Sequence, residues 1–302
     1  GKLSPASPCL AAAAFSAAAE RARGVEWTST FNWSLNRNKV LDLGSAPFFF
    51  PEFSDNGSLL TINPLIVKEG EPLGTFYGWV FDGIVQKGED LTKIPVPGFG
   101  SYANGAVHEG DPKYKEKEGA VDGKVDNGDK VVLGSTQPDF IFGFNNTVAL
   151  KNWDLSVFLQ GSYGNELYNA AANKAELTTL VYNAPANIKD RWTPEHPSNT
   201  VPRTISASNF YMDSRYIEDA SYIKLRSLTL GYTVPLQKIT KTKSSVRLFF
   251  SAQNLFTITK YSGYDPEASR NGSNEQSGLL QGVDFGAYPA SKSYSFGFEI
   301  NL

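Results

Sequence analysis

Six carboxylates crowd one stretch, "GDPKYKEKEGAVDGKVDNGDKVVLG", among them Glu118, Asp122, Asp126 and Asp129. Oxygen ligands at alternating positions can wrap one hard cation such as calcium, with a glycine supplying the sharp turn. Aligning on Asp122-Gly123 puts Glu118 at the first ligand position, Ala120 at the third and Asp129 at the last. Ala120 offers no side-chain oxygen, and Asp126 could compensate. The other reading of the same residues is a solvated acidic surface loop.

Other chemistry is sparse. Cys9 is the lone cysteine, and His108 and His196 lie far from it in sequence, so no disulfide or metal cluster is expected there. His196 sits amid prolines in "WTPEHPSN", and no G-x-S-x-G motif accompanies it. Walker, H-E-x-x-H and Rossmann patterns are absent. Glu218 and Asp219 are adjacent, so on a strand they diverge. No enzyme is expected, and no cofactor beyond the calcium candidate. The net charge of -3 without a basic stripe argues against a nucleic-acid partner. Tyr211, Tyr216, Tyr261 and Tyr264 lie in long loops, where they would stack on sugar rings or pack against peptides, or else anchor the loops themselves.

The elements that must carry these residues are strands. The 302 residues suit two ordinary domains or one large all-β domain. An aromatic content of 13% favours β structure. "VEWTSTFNWSLN", "FIFGFNNTVAL", "NWDLSVFLQGSYG", "SVRLFFSAQNLF" and "SYSFGFEINL" all alternate with period two. Almost nothing separates Leu150 from Trp153, which predicts a tight hairpin. By contrast, 86–138, 164–221 and 260–290 are long, polar connections. Short turns at one end and long loops at the other describe an antiparallel transmembrane β-barrel segment. No run of about 18 apolar residues exists, so no transmembrane helix is expected.

Trp153 and Tyr163 share a face, ten residues apart. That spacing spans roughly 24 Å along a membrane normal at the usual rise and tilt, close to the apolar band between two aromatic girdles. Trp153, Leu155, Val157, Leu159 and Tyr163 are therefore expected to face lipid, as are Tyr294, Phe296, Phe298, Ile300 and Leu302, while Glu299 and Asn301 face the lumen. A sandwich strand with aromatic ends is the alternative. In "SYIKLRSLTLGYTVP", Lys224 and Arg226 fall in phase with Leu228, Leu230 and Tyr232. Either a β-bulge after Arg226 flips the phase, or that part stands above the bilayer.

Residues 1–24 differ from 25–302. "ASPCLAAAAFSAAAERARG" suits a helix or a flexible segment, or a signal-peptide core, or a junction or truncation artefact.

The chain from about Gly24 to Leu302 resembles the C-terminal part of SusC/RagA-type TonB-dependent outer-membrane receptors. The resemblance rests on seven blocks in order: "FNWSLNRNKVLDL", "GEPLGTFYGWVFDGIVQ", "LGSTQPDFIFGFNNTVALKNWDLSVFLQGSYGNELYN", "DRWTPEHPSNTVPR", "YIEDASYIKLRSLTLGYTVP", "RLFFSAQNLFTITKYSGYDPE" and "YPASKSYSFGFEINL". It implies part of a 22-stranded barrel in the bacterial outer membrane, with a plug and TonB contact upstream. It further implies import of glycans or peptides with a SusD-like surface lipoprotein. In such receptors the acidic region often resembles an EF-hand-like calcium loop, and the terminal strand resembles an outer-membrane assembly signal. Two rivals stay open: a soluble or surface β-domain binding carbohydrate, and a small closed porin or adhesin barrel of about eight strands.

Overall fold

A computed structural model describes residues 9–22, 24–51, 64–98, 106–119, 121–176, 186–203, 212–236, 244–268, 279 and 281–301. Seven long strands form one antiparallel sheet: β1 (Cys9–Ala22), β2 (Val25–Arg37), β3 (Phe140–Leu150), β4 (Trp153–Tyr163), β5 (Tyr222–Pro235), β6 (Ser245–Gln253) and β7 (Ser293–Asn301). Their spatial order is their chain order, and a short strand, Thr257–Thr259, adds to β5. Such an up-and-down meander puts the connections 38–139, 164–221 and 254–292 at one end. The links β1–β2, β3–β4 and β5–β6 lie at the other.

β1 corrects the expectation for the alanine-rich start. Cys9–Ala22 is a strand paired along β2, with Phe15 opposite Phe31. Alanine prefers helix by well under 1 kcal/mol over most residues. A strand edge such as that of β2 offers unpaired backbone groups that a ladder satisfies.

The expected hairpin is present. Leu150 faces Trp153 across the two-residue link, and Lys151 adopts φ 55. Left-handed backbone at that first turn position suits the twist of the flanking strands.

The phase conflict in β5 resolves as a bulge. Phe158 faces Ser227 and Leu159 faces Leu225, so Arg226 is the extra residue. Leu225 thereby joins the apolar face with Leu159, and Lys224 turns to the polar face beside Gln160.

Period-two alternation divides the sheet into an apolar and a polar face. Aromatic pairs bind neighbouring strands on the apolar side: Trp153 and Tyr232 at 4.7 Å between ring centroids, Phe250 and Phe296 at 5.0 Å. On the polar side Arg247 of β6 reaches over β5 to Asp154 of β4, with contacts of 2.6 and 3.0 Å. Gly231 makes the crossing possible: a Cβ there would lie 2.3 Å from Asp154 Oδ1 and 2.7 Å from Arg247 Nε. Gly231→Val is therefore expected to break this bridge and destabilise the sheet by about 1–3 kcal/mol, the usual cost of overpacking. The shift is readable as a lowered denaturant midpoint of the folded receptor.

The packed interior lies in the long connections rather than the sheet. One cluster joins Leu65, Phe76, Tyr168, Met212, Tyr216 and Val283. Others centre on Leu167 with Tyr261 and on Trp79 with Tyr114. Short strands frame them, including Leu65–Lys68 paired with Thr75–Gly78, and Glu166–Asn169 between Ile217–Asp219 and Val283–Asp284.

Candidate functional site

Three surfaces could serve function: the apolar face of the sheet, its polar face, and the layer of loops at one end. On the apolar face Trp153 is 51% exposed and Phe296 83% exposed, with Leu155, Tyr163, Tyr294, Phe298 and Ile300 also exposed. Val157 and Leu159 are half-buried. A row of large apolar side chains facing outward marks a surface built to meet something other than water. Leu302 lies outside the described residues.

Where loops meet the polar face, a buried ion network forms. Lys224 is 1% exposed. Its Nζ contacts Asp265 at 3.2 Å and pairs with Glu267. Glu267 also accepts from Arg226 at 2.5 Å and from the Tyr222 hydroxyl at 2.7 Å. Asp265 in turn accepts the backbone N–H groups of Glu267 and Ala290. The segment "YDPE" is thereby tied to β5 at four points, and the bulge is what aims Lys224 at it. The period-two conflict at Lys224 was the sequence signal for this network; its carboxylate partners had none.

Burial pushes the Asp265 carboxyl up, but the two amides and Lys224 outweigh it and hold it below the ordinary value. A carboxylate depressed in the folded state stabilises above its unfolded pKa, and that stability is lost as pH falls through the folded value. A spin label at Tyr264→Cys, with Cys9→Ser, is expected to stay immobile at neutral pH. It should become mobile only below about pH 4, where aspartates begin to protonate.

A cavity of ≈ 290 Å³ lies beside this network, lined by Ser162, Asn165, Tyr222, Glu267, Ile141 and Leu167 among others. Ser162 donates to Asn165 Oδ1 at 2.7 Å.

The acidic loop does not gather its carboxylates around one point. Asp129 is buried, and its oxygens accept the N–H groups of Lys117 and Asp126, each at 2.8 Å. Asp126 caps the turn Asn127–Asp129 by accepting from Gly128. Asp122 accepts from Lys124, and Glu118 is exposed. Glu116, which the ligand alignment omitted, accepts from the amides of Asp122 and Gly123. Among the described residues no three His, Cys, Asp or Glu side chains form a metal-holding group. Asp122, Asp126 and Asp129 engage backbone amides and shape the turn, while Glu118 stands exposed. Ala120 lies outside the described residues.

The tyrosines divide. Tyr216 and Tyr261 are buried, which favours loop anchoring over substrate contact, the two readings their positions had left open. Tyr216 donates to Glu176 at 2.6 Å and Tyr261 to Asp284 at 2.7 Å. Burial raises both hydroxyls well above the ordinary value and pushes the Glu176 carboxyl up. They are loop anchors. Tyr264 is 74% exposed and stays available. Tyr211 lies outside the described residues.

His196 bonds through its backbone to Thr193. Glu218 accepts from Asn169 and Ser262, and Asp219 accepts from the Ser221 N–H. All three serve local loop structure.

Comparison with known proteins places this architecture. No protein-family model matches the chain. TonB-dependent receptor P3 of Formosa agariphila is 34% identical over 278 residues, covering 91% of this chain and 27% of that receptor. TonB-dependent receptor SusC of Bacteroides thetaiotaomicron is 28% identical over 186 residues, covering 60% of this chain and 17% of SusC. The RagAB peptide transporter structure superposes with a TM-score of 0.70 at 21% identity, over 96% of this chain and 29% of that one. The chain thus spans about a quarter of the length of the receptor P3. These relatives are transporters rather than enzymes. The antiparallel meander, its long connections at one end and these likenesses together identify the chain as a portion of a TonB-dependent receptor of the SusC/RagA type.

Proposed function

We propose that the chain is part of the barrel wall of a bacterial outer-membrane receptor that imports glycans or peptides, with a SusD-like lipoprotein on its outer side and TonB as the energy source. The observation that carries this reading is the seven-stranded meander with one continuous apolar face and all its long connections at one end. In the reading, the apolar face meets outer-membrane lipid: Trp153, Leu155, Val157, Leu159 and Tyr163 on β4, and Tyr294, Phe296, Phe298 and Ile300 on β7, with Leu302 beyond them. Glu299 and Asn301 face the lumen, and the wall is one part of a 22-stranded barrel. The relatives support the transport class: P3 and SusC are TonB-dependent receptors, and RagAB is a peptide transporter. Tyr264, exposed where Tyr216 and Tyr261 are buried, is the side chain offered to substrate.

The test is spin-label accessibility along β4 in the full receptor, reconstituted in phospholipid vesicles. Labels at Leu155, Val157 and Leu159 should collide with dissolved oxygen, and labels at Ser156 and Gln160 should not. An accessibility profile without that alternation contradicts the wall reading and favours a soluble carbohydrate-binding domain.

A further inference from the structure

The polar face of the sheet carries a recess of ≈ 390 Å³ across β2, β3 and β4, lined by Asn32, Ser34, Ile141, Gly143, Phe158 and Gln160 among others. Strand register builds it. Gly143 stands opposite Asn32 on one side and Gln160 on the other, so one rung reads amide, gap, amide. Two strand spacings set those amides roughly 10 Å apart. The next rung on that face, nearer the long connections, reads Ser34, Ile141, Ser162. Phe158, opposite Asn145, closes the other end. Ile141 is 46% exposed although it lies on the polar face.

The gap at Gly143 is a real constraint. A Cβ there would lie 2.6 Å from Asn32 Oδ1, so any side chain at this position would compete for the space. The second amide is oriented from behind. Arg226 Nε donates to Gln160 Oε1 at 2.9 Å. A guanidinium can only donate, so the atom it meets on Gln160 is the oxygen. Nε2 is then the remaining end of the carboxamide, and among the described residues it meets no acceptor. No ionisable side chain lines the recess, and Arg226 beside it is paired with Glu267.

We infer that this recess binds one pyranose ring of a neutral glycan. The inference rests on the import reading above and chooses the glycan over the peptide. Asn32, Ser34 and Gln160 bring donors and acceptors together, and a sugar hydroxyl can serve as either. Ile141 and Phe158 give apolar surface to the C–H face of a ring, the usual mixture of a small-ligand site. An extended peptide directs alternate side chains to opposite faces, and a gap one residue wide has no room for the inward ones. The lack of a lining charge disfavours uronate and sulfate groups. The cavity of ≈ 290 Å³ beside the ion network shares Ile141 as a wall, so a following ring lies next to Ser162 and Asn165.

The experiment screens the whole detergent-folded receptor, fluorescently labelled, on printed arrays of neutral oligosaccharides, uronate and sulfated oligosaccharides, and short peptides. Neutral oligosaccharides should be retained. For the strongest of them, calorimetric titration should show affinity about three- to tenfold weaker in Gln160→Leu, the range of one net hydrogen bond. Binding should vanish in Gly143→Val, which fills the gap. The clash there is with one exposed side chain, Asn32, so the fold should tolerate valine, and unchanged heat-modifiable gel migration checks that it does. Retention of charged glycans or peptides alone, or of nothing, would overturn the inference, and this arm needs no variant. Unchanged affinity in either variant would overturn it as well. The labels along β4 separate the failures. Alternating oxygen accessibility with no neutral glycan bound sinks the recess alone, whereas loss of the alternation sinks the wall reading.

Discussion

Lys224→Met is expected to lower the unfolding free energy of the receptor by about 3–5 kcal/mol, the cost of removing one partner from a buried ion pair. The side chain is 1% exposed and faces two carboxylates, Asp265 and Glu267. Methionine fills much of the volume but leaves Asp265 with only its two backbone amides, and Glu267 with Arg226 and the Tyr222 hydroxyl. The penalty is mostly theirs: charges kept from water without an adequate partner. Adding Asp265→Asn and Glu267→Gln to the methionine variant should therefore recover part of the loss, since the groups act as one network. Guanidinium unfolding of the detergent-folded receptor, followed by tryptophan fluorescence, measures each variant. A loss under about 1 kcal/mol for Lys224→Met would mean the pair behaves as an exposed one.

Val157→Arg is the second large effect. Val157 sits near the middle of β4, between Trp153 and Tyr163, on the apolar face opposite Leu228 and Asn146. An arginine on a lipid-facing barrel position near the midplane costs about 2–4 kcal/mol. Ser156→Arg, one residue away on the polar face, should cost far less. The comparison is made by the urea dependence of heat-modifiable gel migration in vesicles. The two variants differ by one residue in sequence and by one face in structure, so the contrast isolates the solvent. Equal effects would leave a water-exposed sheet as the better description.

Much of the architecture was legible because it is written in alternation. Phe140, Phe142 and Phe144, or Tyr294, Phe296 and Phe298, name their face without any neighbour. The hairpin at Lys151-Asn152 followed from the absence of room for anything else. The bulge near Arg226 was foreshadowed by two cations in phase with leucines. What pattern could not supply is partnership across long sequence separation. Asp265 and Glu267 lie some forty residues beyond Lys224, in a loop whose composition reads as a turn. Tyr216 and Tyr261 read equally as ligand contacts or as loop anchors, because a loop's own pattern does not say which side chains are covered. Here the loops are long enough to form their own core, and it takes both tyrosines. The acidic loop left two readings open for a related reason. Its spacing resembles a ligand set, yet carboxylates also accept from turn amides, and local backbone is always nearer than an ion.

The alanine-rich start shows the limit most clearly. Its residues favour helix individually, and no periodicity opposes that. Strand structure at Cys9–Ala22 is set by β2, whose backbone groups pair with it from Cys9–Arg37 to Ala22–Val25. The sequence by itself determined which faces of the strands are apolar, where the tight turn falls, and that the strands pair antiparallel. Those follow from side-chain period and chain reach, both local quantities. Only the tertiary structure decided that alanines become a strand, that Lys224 turns inward to meet Asp265 and Glu267, and that Ser29 bonds Asn146 across two strands. Each of these depends on which backbone or side chain arrives alongside, and that is a property of the packed sheet and loops rather than of any single stretch.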